Sequence, residues 1–120
     1  FDATEVCLNE KYDLLMASTS LHYSQDWKEI LKKLAHATSS YLYITRLPIV
    51  RKVPSYVMLQ RAYHYGYNTE YLGWCVNETE FLNAALASGL KLVREFVIGE
   101  QGIIHNAPEV CEYRGYLFKR

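Results

Sequence analysis

The apolar positions of this chain alternate between strand-like and helix-like spacing. Tyr12–Ala17 is a short run, almost wholly apolar and interrupted only by Asp13. Being apolar on both faces, it predicts a central parallel strand covered on both sides. A buried helix is the other reading, but the brevity of the run and the Ser18-Thr19-Ser20 after it favour a strand. Further on, Trp27, Ile30, Leu31 and Leu34 recur at i, i+3, i+4 and i+7, one helical stripe that leaves Lys28, Lys32 and Lys33 outside it. Asp26 and Glu29 have the spacing of an N-cap and its N3 partner, so the helix starts near Asp26 and fades at Ala37-Thr-Ser-Ser40.

Tyr41–Leu47 is rich in aromatic and β-branched residues and is predicted as a second strand that stops at Pro48. Strand, helix and strand then make a right-handed βαβ unit. Residues 48–76 break the alternation. They hold Pro48, Pro54 and a Tyr-rich stretch with Tyr63, Tyr65, Tyr67, Tyr71 and Trp74. A long excursion at the carboxyl end of a strand reads as a lid or insertion. An aromatic satellite core under a surface loop is the alternative. A second helix starts at Asn77, again with an acid, Glu80, three residues on; its body is Phe81–Ala87, and Gly89 supplies the stop. Asn77-Glu-Thr79 matches a glycosylation sequon, which we read as chance at a helix cap. Lys91–Ile98 and Tyr113–Lys119 are predicted strands with no helix between them, hence an antiparallel pair. The 120 residues form a single domain.

Composition narrows the function classes. Lys+Arg and Asp+Glu are 13 each, so nothing marks a nucleic-acid binder or a basic membrane-surface protein. No apolar run approaches the ~18 residues of a membrane span. Cys7, Cys75 and Cys111 are far apart, with no metal or redox spacing, as for reduced thiols in a cytoplasmic protein. No Cys/His/carboxylate cluster implies a metal. The first residue is Phe, and initiator Met is not normally trimmed before so large a residue. Sequence upstream of Phe1 is therefore expected.

Several motifs carry a resemblance. Tyr12-Asp13-Leu14-Leu15 opens the first strand, Leu21-His22-Tyr23 follows its loop, and Asp26 starts the helix. Ile44-Thr-Arg-Leu-Pro48, Leu59-Gln-Arg61, the series Tyr67, Tyr71, Trp74, Asn77, and the closing Arg114-Gly-Tyr-Leu-Phe118 come later, in order. In that order and spacing the chain resembles, from Tyr12 on, the C-terminal half of a class I S-adenosylmethionine-dependent methyltransferase. The resemblance extends to a little-characterised family of such enzymes. It implies an α/β fold, a three-layer Rossmann-like partial sheet of strand order 4-5-7-6 with the last strand antiparallel. It implies S-adenosylmethionine as cofactor and an unknown small-molecule acceptor as substrate. Two features depart from the pattern. Ala37-Thr-Ser-Ser40 replaces the usual Lys-Pro-Gly-Gly turn, and no G-x-G exists anywhere in the sequence. The Gly-rich loop and the acid that carry most cofactor recognition in such folds are therefore missing, and the 120 residues alone are expected to be inactive.

By this resemblance Ser18, Thr19 and Ser20 lie beside the cofactor; local turn chemistry is the competing reading. His22 is the candidate catalytic base, against a structural histidine bonded to backbone. Tyr23 and Arg46 would line the acceptor side, where Arg46 suits a carboxylate or phosphate, unless it pairs with an acid at the sheet's rim. His64, Tyr65 and Trp74 are lid candidates for substrate binding. Without a neighbouring strand, Tyr12–Ala17 would be an exposed apolar edge, and self-association there is expected. The alternative class is a non-catalytic α/β interaction module using the Tyr-rich segment.

Overall fold

The computed structural model describes residues 11–18, 21–61, 70–102 and 107–120. Helix α1, Trp27–Ala37, starts where the Asp26 carboxylate accepts the Glu29 N–H at 3.3 Å. It buries Trp27, Leu31, Ala35 and Ala37, with Ile30 and Leu34 packed at the margin and the three lysines in solvent. It passes straight into strand β2, Thr38–Val50. Thr38 ends the helix: its backbone N–H reaches the Ala35 carbonyl, and its hydroxyl donates to the Leu34 carbonyl at 2.7 Å.

Strand β1 is Tyr12–Ser18, β3 is Tyr56–Arg61, β4 is Glu70–Asn77, β5 is Lys91–Gly102 and β6 is Cys111–Lys119; helix α2 is Glu78–Ala87. All six strands join one sheet around β2. β1 runs parallel to β2, β6 antiparallel along the opposite edge, and β5 antiparallel to β6. The path β1-β2-β6-β5 is the expected 4-5-7-6 order. The difference in detail is the antiparallel β3–β4 hairpin, which joins β2 through Ile49–Val76 and Val50–Asn77. Part of the Tyr-rich excursion is thus regular sheet, while 62–69 lie outside the described residues.

Several strands run longer than expected: β2 begins at Thr38 and runs through Pro48 to Val50, three residues further at each end, β5 continues past Ile98 to Gly102, and β6 begins at Cys111 rather than Tyr113. Pro48 falls between the last β1 pairing, at Thr45, and the first β4 pairing, at Ile49, so its missing N–H costs no parallel ladder bond. β1 is not covered on both sides: Leu15 and Ala17 pack on the core, whereas Leu14 is 63% and Met16 68% exposed. Both helices lie on the same face, so the described residues form two layers rather than three.

The main core lies between those helices and the sheet. Phe81 of α2 meets Tyr116 and Phe118 of β6 at ring centroid distances of 5.0 and 5.7 Å. Leu31, Leu42, Ile44, Leu47, Ile49 and Leu90 fill the space around them. The Tyr116 hydroxyl donates to Glu78 at 2.8 Å; burial, then that bond, push its pKa well above the usual phenol range. α2 is capped as expected, with the Asn77 side-chain oxygen accepting the Glu80 N–H at 3.1 Å. Glu80 does not return to the Asn77 N–H. Its carboxylate accepts the Ser55 N–H and hydroxyl, at 2.9 and 2.6 Å, and Ser55 itself takes the Asn77 N–H. The Asn77 amide donates to the Val53 carbonyl at 2.8 Å, so the side chain is committed to the fold, as the chance reading of the sequon requires. Gly89, at φ +88, provides the left-handed stop.

A smaller core of Val50, Met58, Cys75 and Cys111 sits under the hairpin, with Val53 and Tyr56 against it. Cys75 and Cys111 are buried free thiols, as expected; Cys7 lies outside the described residues. The hydrogen bond to Cys111, and then burial, keep the Cys75 thiol protonated. The turn after β2 is tied down by Glu109, whose carboxylate accepts the backbone N–H groups of Arg51, Lys52 and Val53. The Arg51 N–H foremost holds that carboxyl below the usual range. Among the described residues, no helix is long and apolar enough to cross a membrane.

Candidate active site

β6 fills one edge of β2 from Tyr41 to Ile49. β1 and β4 therefore share the other edge, parallel and one after the other. The β1 ladder stops at Ser18–Thr45 and the β4 ladder begins at Ile49–Val76. Between them lies a wedge at the carboxyl end of β1, the position at which open α/β sheets bind ligands.

The 3₁₀ turn Leu21–Tyr23 drops into this wedge. Leu21 anchors it in the main core. His22 is only 1% exposed, its ring centroid 4.0 Å from that of Tyr23, which is 40% exposed. Gly73 of β4 closes over both. A Cβ there would come within 3.4 Å of the Tyr23 ring and 3.5 Å of His22 Cδ2. His22 Nδ1 has no hydrogen-bond partner among the described residues. Orphaned buried nitrogens are rare in folded proteins, and each calls for a partner such as an ordered water, an ion or a ligand atom. Burial lowers the His22 pKa to about 4, so the ring is neutral at physiological pH.

Arg46 stands one residue past the last β1–β2 pair, at φ +56. It is the one non-glycine residue with positive φ among the described residues. The left-handed conformation costs an L-residue with a long side chain roughly 1–2 kcal/mol. The bulge between Ile44 and Leu47 absorbs the distortion and re-aims the strand. Tyr113, opposite Pro48 on β6, lies within electrostatic reach of both Arg46 and Tyr23. Burial foremost raises its pKa, so it keeps its proton at neutral pH.

The wedge thus brings together Ser18, His22, Tyr23 and Arg46 from the expected set. Trp74 borders it differently from a mobile lid: its ring packs on the main core and its indole N–H donates to the Gln25 carbonyl at 3.3 Å. Thr19, Ser20, His64 and Tyr65 lie outside the described residues. Sequence reasoning passed over Gly73 and Tyr113. Gly73 was visible as a glycine inside a strand run, a sign of close approach; Tyr113 carried no local signal. A depression of about 520 Å³ lies elsewhere, on the open face of the sheet between Leu14, Tyr41, Val93, Arg94, Phe96 and Leu117. It is shallow and lacks convergent polar groups, so the wedge is the better candidate. Among the described residues no cluster of His, Cys, Asp and Glu could hold a metal.

No family model matches the chain, and no curated protein matches it in sequence. Solved structures do. An S-adenosylmethionine-dependent methyltransferase from Clostridium acetobutylicum superposes with TM-score 0.63 over 99% of this chain and 62% of its own length, at 13% identity. One from Mesorhizobium loti gives 0.55 over 92% and 62%, at 14% identity. Magnesium protoporphyrin IX methyltransferase from Synechocystis PCC 6803, with bound SAM, gives 0.52 over 92% and 40%, at 12% identity. The chain has a class I methyltransferase-like fold. It spans 40–62% of the length of these methyltransferases. In this methyltransferase-like sheet the wedge is the loop after the fourth strand, as the Leu21-His22-Tyr23 motif implied.

Proposed function

We propose that the protein is an S-adenosylmethionine-dependent methyltransferase acting on a small-molecule acceptor, and that the wedge after β1 is the part of its active site held by these residues. The observation that carries this reading is the unpartnered Nδ1 of a 1%-exposed histidine, at the carboxyl end of β1 in a methyltransferase-like sheet. The Ser18 hydroxyl at the end of β1 and that nitrogen suit the polar amino-acid end of the cofactor. No described residue supplies the Gly-rich loop or the ribose-binding acid, so the residues present account for one wall of the cofactor site. When bound, the sulfonium cofactor supplies an activated methyl group for in-line displacement. The chain's own task is then alignment and exclusion of water. A base works best with a pKa near the working pH. At about 4, His22 suits a neutral hydrogen-bonding and positioning group better than a proton acceptor.

Calorimetry with S-adenosylmethionine and S-adenosylhomocysteine tests the proposal. Saturable binding, weakened by replacing Ser18, Thr19 and Ser20 with Ala, is expected. No binding by the protein as its complete gene encodes it would sink the reading.

One observation favours the second reading, an interaction module. Leu14, Met16, Tyr41 and Val93 are exposed on one sheet face, beside a strand β1 that pairs on one side only among the described residues. Unpaired edges and apolar patches are association sites, and a formal net charge of zero adds no repulsion between copies. Self-association through β1 is compatible with catalysis at the wedge.

A further inference from the structure

The smaller core carries a second site, independent of the wedge and of the methyltransferase reading. We propose that Met58, Cys75 and Cys111 form a three-sulfur site for a single soft cation, Cu(I).

Three strands bring the sulfurs together. Met58 lies on β3, Cys75 on β4, and Cys111 opens β6. Cys75 is the centre: its Sγ stands 3.6 Å from Met58 Sδ, and its thiol is hydrogen-bonded to that of Cys111. All three residues are nearly excluded from solvent, at 5%, 0% and 1% exposed. Two sulfurs that bind one cation at ~2.3 Å each stand about 3.8 Å apart. The Cys75–Met58 separation therefore already suits a shared ion to within a fraction of an ångström. A disulfide fits less well. β4 and β6 both flank β2 and do not pair with each other, so an S–S bond of ~2.0 Å would have to draw their backbones together.

The donors select the ion. Two thiols and a thioether are soft, and soft sulfur sets favour Cu(I) over oxygen-seeking cations. Structural zinc takes four ligands, and the carboxylate of Glu109, beside this core, is spent on three backbone N–H groups. On binding, Cu(I) displaces the two thiol protons to solvent and forms two thiolate bonds and one thioether bond. Copper stays monovalent and no sulfur is oxidised. The bound site carries one net negative charge. The Tyr56 hydroxyl is within hydrogen-bonding reach of Cys75 and can donate to its thiolate, which stabilises that charge. Val53 and Tyr56 pack against the cluster and are only partly buried, so the way in from solvent is short.

The test is an anaerobic titration of the reduced 120-residue chain with Cu(I), carrying Cys7→Ser so that the two core thiols are the ones left. A competing chromophoric Cu(I) chelator reports affinity, and thiolate-to-copper absorption in the ultraviolet reports the ligands. One equivalent is expected to bind and to raise the melting temperature. Affinity should fall as pH drops, because binding releases protons. Met58→Leu keeps the side-chain volume and hence the fold, yet should weaken binding at least tenfold. Cys75→Ala and Cys111→Ala should each weaken it more than a hundredfold, with near-ultraviolet circular dichroism checking that they remain folded. Wild-type affinity in Met58→Leu would overturn the three-sulfur site. So would copper that binds only as the chain loses its near-ultraviolet signal, or undiminished binding by the Cys75→Ala, Cys111→Ala double variant.

Discussion

The two faces of this sheet come from the same strands and differ in fate. On one, Leu42, Ile44, Leu47, Ile49, Tyr116 and Phe118 meet two helices and are almost fully excluded from solvent. On the other, Leu14, Met16, Tyr41 and Val93 remain exposed, and no described residue covers them. Yet the open face is not polar. Tyr43 stacks on Phe96 at 5.8 Å, across the gap that Gly115 leaves. A Cβ on Gly115 would sit 3.3 Å from the Tyr43 hydroxyl and 3.2 Å from Thr45 Oγ1. This face is apolar and interlocked, with no cover among the described residues. Strand alternation alone thus says which residues share a face, but not whether anything packs on it.

The largest effect should come from the covered face. Phe81→Ala removes the ring that joins α2 to Tyr116, Phe118 and Trp27. It should cost about 3–5 kcal/mol, enough to leave the chain largely unfolded in urea titrations. A loss below ~1 kcal/mol would mean that this face is not the core.

Next in size is acid sensitivity at the rim of the covered face. His22 titrates at about 4 in the fold and near 6.5 when unfolded. Between those values the unfolded chain binds a proton that the folded chain refuses. Stability therefore falls as pH drops from 6.5 to 4, by on the order of 3 kcal/mol, and this contribution is flat outside that window. In His22→Gln the slope above pH 5 should largely vanish. Glu80 and Glu109, both held below the usual carboxylate range, lose their contribution only at lower pH, so they do not blur the upper part of the window. An unchanged slope in His22→Gln would place the pH dependence elsewhere.

The smallest expected change in stability is on the open face. Leu14→Lys with Met16→Lys should shift monomer stability by about 0.5 kcal/mol or less, as for other exposed positions. The same pair should abolish the proposed self-association, read by sedimentation velocity. Loss of folding in the double variant would show that this face is covered within the monomer. A wild-type chain that stays monomeric at high concentration would refute association through β1.

Much of the fold was legible locally. The stripe Trp27, Ile30, Leu31, Leu34, the caps at Asp26 and Asn77 and the stop at Gly89 all follow from interactions within four residues, which sequence spacing records directly. The site was legible in part. Leu21-His22-Tyr23 marked the wedge, but its spacing says nothing about solvent, and burial turns His22 from an attractive base into a neutral ring. Trp74 looked like a lid residue because it lies in the long excursion after a strand's carboxyl end; its bond to Gln25 is a contact across 49 residues.

By itself, the sequence determined two capped helices, most of the strands, the antiparallel closing pair and the resemblance that orders them, because local periodicity and capping depend on near neighbours. Tertiary structure alone decided that β4 follows β1 along one edge of β2. It alone turned Arg46 left-handed in the gap between them, set Tyr113 beside it and left one face of the sheet open. Those outcomes depend on which distant segments compete for the same strand edge, and no spacing along the chain encodes that competition.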